Sequence, residues 1–349
     1  MKRLLKKLSF AIRTNSRART SAFVSVFVVG LLIGFFIEWK ISLYQEAGAM
    51  FNFKKVHPLN NHSEFTNPLI GFDTSEKTHS EYTQLKNKIQ ALINDPEASG
   101  QADNLSIYFR NLETGEWVGI NQNEDFNPAS LFKVPVMMFY FKLAESDPDI
   151  LLRTYAYSAN DIRLLKSAQG SDLSTRLIQD KRYTVNELLY EMIVRSDNVA
   201  KYLLILNSAG SELDNMYGDL GIQIHKQEGN RYTISPRTYS LFFRTLYNVT
   251  FLNGEMSERA LEMLNETDFK DGLVAGVPSD VKVAHKFGQY TNINNGAAAS
   301  VEAHDCGIIY YPRSPYLLCV MTRGKDTKQL EAIISQISRI TYDFVHSAH

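Results

Sequence analysis

Apolar residues near position 80 recur at helical spacing, and the segment after them alternates. Four residues spaced three or four positions apart predict one face of an amphipathic helix: Tyr82, Leu85, Ile89 and Leu92. Apolar and polar residues alternate over 105–110, as in a half-buried strand, and the turn NLETGE leads into the short apolar run WVGI. This pattern predicts a helix followed by a β-hairpin.

A second helix is apolar on nearly every side. It extends from Pro128 to about Asp147, and Asn127 followed by Pro128 is typical of a helix start. A surface helix keeps a polar face, so this one is expected at the centre of the fold. Residues 150–270 predict mostly helices and loops, including a capping box that begins at Thr184.

The last third of the chain predicts three strands and a closing helix. Strand-like runs cover 281–287, 306–311 and 317–322, and a turn containing proline joins the last two. The closing helix begins at Asp326, with Gln329 completing its cap. The order of elements predicts an α/β (α+β) fold: an antiparallel sheet flanked by the N- and C-terminal helices, with an inserted all-α lobe.

The N-terminus has the pattern of a membrane-spanning segment. Residues 1–20 contain seven Lys and Arg and no acid, and residues 21–37 carry no charge. A run of this length is at the short end of what crosses a hydrocarbon core of about 30 Å. Trp39 and Tyr44 suit the far boundary, and the basic residues favour the cytoplasmic side for the start of the chain.

These patterns divide the chain into four parts. We expect a cytoplasmic segment over 1–20, a transmembrane signal anchor over 21–44, a stalk over 45–79 and a globular domain over 80–349. A cleaved signal peptide is the alternative, since residues 47–49 are small. They lie well beyond the apolar run, so we favour the anchor. The prediction is a single-pass protein of a plasma membrane with its domain outside the cytoplasm.

Composition excludes several classes of protein. The 349 residues are 44% apolar and 21% charged, which is ordinary for a globular chain. Without the seven basic residues at its start, the chain has 30 Lys and Arg against 38 Asp and Glu, which argues against a nucleic-acid partner. With two Cys, the chain is not a small scaffold held together by several disulfides. Cys306 and Cys319 flank the predicted hairpin, and they either pair or stay as buried thiols.

The candidate chemistry begins at the start of the buried helix. Ser130 and Lys133 lie three residues apart, on one helix face, so an uncharged Lys133 amine could take the proton of the Ser130 hydroxyl. The motif is weak alone, because Ser279 and Lys282 have the same spacing at the entry to a strand. The simpler interpretation is a solvated lysine, but the apolar surroundings of Lys133 argue against it.

Two further short motifs follow. Ser196, Asp197 and Asn198 stand between two predicted helices, where they would alone be read as a helix cap. Lys286 and Gly288 end a predicted strand, where the lysine offers a positive charge and the glycine permits close approach of a ligand to the backbone.

The three motifs, in this order and on these elements, resemble those of the penicillin-recognising serine enzymes and most closely the class A β-lactamases. That family carries Ser-x-x-Lys, Ser-Asp-Asn and Lys-Thr-Gly. The resemblance covers about residues 80–348, including YSAND at 157–161 and the strand HDCGIIYYP. It implies a β-lactamase/transpeptidase-like domain and a serine hydrolase that acts on amide bonds of β-lactams or of peptidoglycan peptides, with no metal or organic cofactor.

The resemblance also implies a role for each matching residue. Ser130 is the acylated nucleophile, Lys133 its proton acceptor, and Ser196 the relay to the leaving nitrogen. Four residues are implied in substrate binding: Asn198, Lys286, Gly288 and Gln289. Among these, Lys286 attracts the substrate carboxylate, and the backbone N–H groups of Gln289 and Ser130 form the oxyanion hole.

The chain departs from the family pattern in two places. Phe287 stands where the family has a hydroxyl that binds the substrate carboxylate, so either Thr291 supplies that hydroxyl or the preferred substrate differs from a penicillin. The Glu-x-x-Leu-Asn string of the deacylating base is missing, and Glu228 is either a displaced base or a solvated turn residue. We therefore expect slow deacylation. The alternatives are a D,D-peptidase-like penicillin-binding enzyme and a non-catalytic module that binds β-lactams or wall fragments.

Overall fold

The structure is a computed structural model, and it describes residues 64–67, 80–95, 102–169, 175–208, 210–222, 225–227, 231–294 and 297–348. The predicted transmembrane segment and Glu228 lie outside these residues. Within the described ranges, no helix is both long enough and apolar enough to span a membrane.

The strands of the described residues, in chain order, are Ala102–Asn111 (β1), Trp117–Ile120 (β2), Thr154–Ala156 (β3), Arg182–Thr184 (β4), His225–Gln227 (β5), Arg231–Thr233 (β6), Val283–Asn294 (β7), Ala297–Ile309 (β8) and Tyr316–Gly324 (β9). Five of them form an antiparallel sheet in the order β2-β1-β9-β8-β7. Strand β7 is therefore an edge of this sheet.

The α-helices of the described residues are Ser80–Asn94 (α1), Lys133–Ala144 (α2), Ala159–Gln169 (α3), Val185–Val194 (α4), Asn198–Leu206 (α5), Gly210–Asp219 (α6), Pro236–Tyr247 (α7), Gly254–Asn265 (α8) and Thr327–Ser347 (α9). A short 3₁₀ helix, Ala129–Phe132, precedes α2. The predicted caps are present: Thr184 and Glu187 form a capping box, and Asp326 accepts a hydrogen bond from the Gln329 N–H.

The sheet buries both of its faces, as the order of elements predicts. One face packs on the two terminal helices, with Leu85 of α1 and Ile337 of α9 in the same cluster as Phe109 of β1. The other face packs on the helical lobe, with Tyr108 of β1 in the cluster that contains α2. Successive residues of β1 thus enter different cores, because strand side chains alternate. The β-lactamase/transpeptidase-like architecture is confirmed.

Two details of the predicted fold need correction. The inserted lobe is mainly helical but not all-α, because β3 pairs with β4 and β5 pairs with β6. These strands have three residues each, too few for an alternating pattern to reveal them. Strand β7 continues to Asn294, so Lys286 and Gly288 lie inside the strand and not at its end. The polar residues beyond Gly288 hid this extension, although the solvent side of an edge strand tolerates them.

Cys306 and Cys319 form a disulfide. The two residues are directly opposite each other on the antiparallel strands β8 and β9. Both are fully buried on the sheet face that meets the helical lobe. Cys306 is also the register partner of Lys286 on β7, so the disulfide lies immediately behind the candidate site.

A short segment before α1 is bound to the domain. The Glu258 carboxylate of α8 accepts hydrogen bonds from three successive backbone N–H groups, those of Glu64, Phe65 and Thr66, at 2.6, 2.8 and 3.1 Å. The Phe65 ring is buried edge-on against Tyr310. These residues belong to the predicted stalk, so this part of it lies on the domain surface. The domain boundary at residue 80 stays a prediction.

Candidate active site

The turn that presents Ser130 is fixed to the central sheet. Asn127 donates its N–H to a Glu302 carboxylate oxygen of β8 at 3.0 Å, and its carbonyl lies 3.0 Å from His304 Nε2. Its side-chain oxygen accepts the Ala129 N–H at 2.8 Å. Ala129 has φ +49°, a left-handed conformation that costs a non-glycine residue about 1–3 kcal/mol. Asn127 thus anchors a strained turn directly before the candidate nucleophile.

Lys133 is the centre of the candidate site. It is fully buried in the first turn of α2. Its Nζ lies 3.0 Å from Ser130 Oγ, 3.0 Å from Ser196 Oγ and 2.5 Å from the Ser196 carbonyl oxygen. One amine therefore contacts both of the hydroxyl groups that the sequence motifs single out. The structure brings Ser130 and Lys133 together as their spacing predicts, and it places Ser196 beside them as the resemblance implies, although their chemical roles stay predictions.

Burial gives Lys133 an unusual protonation state. Loss of solvation, followed by the positive charges of Lys286 and Lys201, lowers the pKa of Lys133 from 10.5 to about 6 against an opposing effect of Asp197. With a pKa near 6, about nine-tenths of Lys133 is an uncharged amine at pH 7. A neutral amine can accept a proton, which an ordinary lysine cannot do at this pH.

The Ser-Asp-Asn segment serves both as a helix cap and as part of the site. Asp197 caps α5 by accepting the Ala200 N–H at 2.8 Å, and its own N–H donates to the Glu191 carbonyl at 3.0 Å. These two bonds fix the turn between α4 and α5. Ser196 has φ +56°, and this conformation directs its carbonyl and its hydroxyl towards Lys133. Asn198 is exposed at the first position of α5.

Lys286 supplies a second buried lysine on β7. It is fully buried, and its Nζ has no hydrogen-bond partner among the described residues. Burial lowers its pKa from 10.5 to about 7, and Asp305 opposes this shift. An ammonium group without a hydrogen-bond partner is expensive to bury, so Lys286 Nζ is available to a hydrogen-bond acceptor of a ligand.

Gly288 allows β7 to approach the nucleophile turn. A Cβ atom at this position would lie 3.0 Å from the Pro128 carbonyl oxygen and 3.3 Å from the Ala129 Cβ. The close approach is therefore to protein backbone. It brings the next residue, Gln289, alongside the segment that carries Ser130. The Gln289 side chain points away, because its Nε2 donates to Glu331 on α9.

The second Ser-x-x-Lys motif is not part of this arrangement. Ser279 and Lys282 are exposed, and Lys282 pairs with Glu64 instead of with a serine. Equal spacing in the sequence thus leads to different surroundings, because only Lys133 lies on a buried helix.

Several features of the site were missed at the level of the sequence. The left-handed backbone conformation of Ala129 and Ser196 was not predicted, because Ala and Ser usually avoid this conformation. Lys201 lies on an apolar stretch of α5, and only the fold shows that its charge acts on Lys133. In the described part of the chain, no carboxylate is hydrogen-bonded to Ser130 or Lys133.

A sheet covered on one face by the terminal helices, with the buried Lys133 between the half-buried Ser130 and Ser196 on the other, is typical of the serine hydrolase fold of the β-lactamase type. The chain belongs to the Beta-lactamase enzyme family, which matches residues 84–345. No curated protein matches the chain.

Solved structures are similar to the same region. A mutant of PBP-A, determined as an acyl-enzyme complex with penicillin G, is 22% identical, with a TM-score of 0.62 over 78% of this chain and 98% of its own. A class A β-lactamase from Mycobacterium abscessus is 20% identical, with a TM-score of 0.61 over 75% of this chain and 99% of its own. One from Bacteroides cellulosilyticus is 19% identical, with a TM-score of 0.64 over 77% and 100%. At these identities the similarity shows the fold.

Proposed function

We propose that this protein is a membrane-anchored serine hydrolase that forms an acyl-enzyme at Ser130 with β-lactams or with a cell-wall peptide amide, and that it deacylates slowly. The observation that carries the proposal is the position of Lys133, whose amine lies 3.0 Å from the hydroxyl oxygens of both Ser130 and Ser196. Family membership and the fold of the penicillin-bound relative support the substrate class.

The acylation step follows from these contacts. The uncharged Lys133 amine takes the proton of Ser130, and the freed Oγ attacks the carbonyl carbon of the amide. Ser196 donates its proton to the departing nitrogen as the C–N bond breaks, and Lys133 returns its proton to Ser196. In this proposal the backbone N–H groups of Ser130 and Gln289 stabilise the negative oxygen, and such a donor contributes roughly 3 kcal/mol.

Slow deacylation is proposed from the charges around the cluster. The charged groups that act on Lys133 are Lys286 of β7 and Lys201 and Asp197 of the α5 region. Asp197 is engaged in capping α5 through its side chain. Among the described residues, Asp197 is thus the carboxylate that acts on Lys133, and its side chain is already used as a helix cap. A stalled acyl-enzyme suits a penicillin-binding peptidase better than a β-lactamase.

The proposal is tested with a time course of a fluorescent penicillin on the soluble fragment from about residue 64, which keeps the segment bound by Glu258, read as covalent label on a denaturing gel. We expect label that persists in the unaltered protein and no label in Ser130→Ala. Label that fades within minutes would show efficient deacylation. Absence of label at high penicillin concentration would overturn the acyl-enzyme itself.

The pH dependence of acylation tests the state of the two buried lysines. Lys133 becomes a free base as pH rises through about 6, so the acylation rate constant should rise there. Lys286 loses its positive charge as pH rises through about 7, so the rate constant for a carboxylate-bearing β-lactam should fall above that pH. We expect a maximum between these values. A rate constant that keeps rising to about pH 10, the range of ordinary lysines, would contradict the assignment of Lys133.

The location of the protein is proposed from the sequence. The uncharged residues 21–37 after a basic start favour a retained anchor in a bacterial plasma membrane, with the catalytic domain outside the cytoplasm. The intact mass of the protein in a membrane fraction checks this. The full mass supports the anchor, whereas loss of residues 1–49 would show a cleaved signal peptide.

A further inference from the structure

Phe287 occupies the position of a hydroxyl that the family uses to bind the substrate carboxylate, and Thr291 does not replace that hydroxyl. Thr291, the candidate from the sequence, lies four residues further along β7, about 13 Å away at the rise of a strand. It is exposed there. Neither Phe287 nor Thr291 therefore offers a hydroxyl to a carboxylate bound beside Lys286.

The Phe287 ring also contacts the ammonium group of Lys286, the preceding residue. Lys286 Nζ lies 4.0 Å from the centroid of this ring, a cation–π contact. Adjacent strand residues point to opposite faces, so the two side chains can meet only around the open edge of the sheet, and β7 is that edge. The Phe287 ring thus lies beside the ammonium group at the open edge of the sheet.

A second aromatic residue holds the ring in place. Phe269 stacks on Phe287 with centroids 4.0 Å apart and planes inclined by 17°. Both rings are half-buried. We call them the Phe269–Phe287 pair. Stacking of this kind fixes the orientation of a ring and leaves its remaining face and edge apolar.

The loop that carries Phe269 is attached to the sheet at both ends. Thr267 Oγ1 donates to the His285 carbonyl at 3.1 Å, and the Leu273 N–H donates to Asp305 Oδ2 at 2.9 Å. Asp305 Oδ1 lies 2.8 Å from His285 Nδ1, and both side chains are buried. Gly272, with φ +66°, permits this approach, since a Cβ there would lie 2.7 Å from Asp305 Oδ2. The Phe269–Phe287 pair is therefore a fixed part of the site.

We propose that the Phe269–Phe287 pair makes this site select acyl donors whose group next to the scissile amide is uncharged, such as an amide inside a longer peptide chain. This inference deepens the proposed function and rests on it. A carboxylate placed here would lose water and would meet a lysine whose ammonium group already contacts the Phe287 ring, and residue 287 offers it no hydroxyl. An uncharged group gives up less solvation and packs on the aromatic surface.

The test compares a penicillin with its own methyl ester, two acyl donors that differ only in the carboxylate. The second-order rate constant for modification of Ser130 is measured for both by intact mass, and their ratio, acid over ester, is the readout. We expect a ratio of one or less in the unaltered protein. In Phe287→Thr it should rise about tenfold, roughly what one hydrogen bond to a charged group contributes.

Two further variants separate the ring from a general effect of substitution. Phe287→Tyr retains the stacked ring and should keep the low ratio whatever its absolute rate, whereas Phe269→Leu removes the support of the ring and should raise the ratio. Modification by the methyl ester shows that each variant is folded and competent. The inference would be overturned if the unaltered protein strongly preferred the acid. It would also be overturned if the acid-to-ester ratio of Phe287→Thr lay within twofold of the ratio of the unaltered protein. Both results would leave the acyl-enzyme intact. Modification by neither compound would overturn the proposed function itself.

Discussion

Replacing Lys133 with Met is expected to lower the rate constant for acylation of Ser130 about 1,000-fold, the usual contribution of a positioned general base. Met has nearly the length of Lys and suits the buried start of α2, so the fold should survive. The loss arises because Lys133 Nζ is the group that contacts both serine hydroxyls, at 3.0 Å each. The measurement is the initial rate of covalent labelling by a fluorescent penicillin.

Two variants show whether the proton acceptor or the charge matters. Lys133→Arg keeps a positive charge but cannot be deprotonated at accessible pH, so it should be as inactive as Lys133→Met. Lys282→Met, in the exposed Ser-x-x-Lys motif, is the matched control and should label at the normal rate, because Lys282 contacts Glu64 on the surface. Substantial activity in Lys133→Arg would mean that Lys133 supplies only electrostatic attraction.

The sequence predicts the fold and the three motifs well because their signals are strong. Helices with clear apolar faces, a buried helix and alternating strands specify the two-faced sheet, and Lys133 stands out as a cation at the buried start of a mostly apolar helix. The order of the motifs along these elements then brings Ser130 and Ser196 to the same amine. Features that depend on nearby residues in the sequence could be predicted, and the helix caps at Thr184 and Asp326 are examples.

The remaining features depend on contacts between distant residues. Phe269 lies in a loop, and its stacking on Phe287 across 18 positions leaves no periodic signal. The extension of β7 to Asn294 depends on pairing with β8, since the residues involved are polar. Pairing of Cys306 with Cys319 required the register of β8 and β9, which the spacing of the two residues left open. Such features follow from the assembled sheet.

The largest loss of stability is expected for Asp305→Ala. The substitution leaves the buried Leu273 N–H and His285 Nδ1 without their partners, which are at 2.9 and 2.8 Å in the structure. A buried donor left without a partner costs about 1–3 kcal/mol, so the free energy of unfolding should fall by about 3 kcal/mol or more. Urea unfolding of the soluble fragment, followed by tryptophan fluorescence or circular dichroism, measures the change.

Asp268→Ala is the matched control for this loss. Asp268 is half exposed and pairs with Arg195 at 3.4 Å, a surface contact worth at most about 1 kcal/mol. A comparable loss in both variants would mean that Asp305 contributes no more to stability than a surface charge does.

The Asp305 variant also loosens the loop that carries Phe269, so its acid-to-ester ratio should shift in the same direction as that of Phe287→Thr. Stability and substrate selection are then linked through one buried carboxylate, because the group that anchors the loop also fixes the ring beside Lys286.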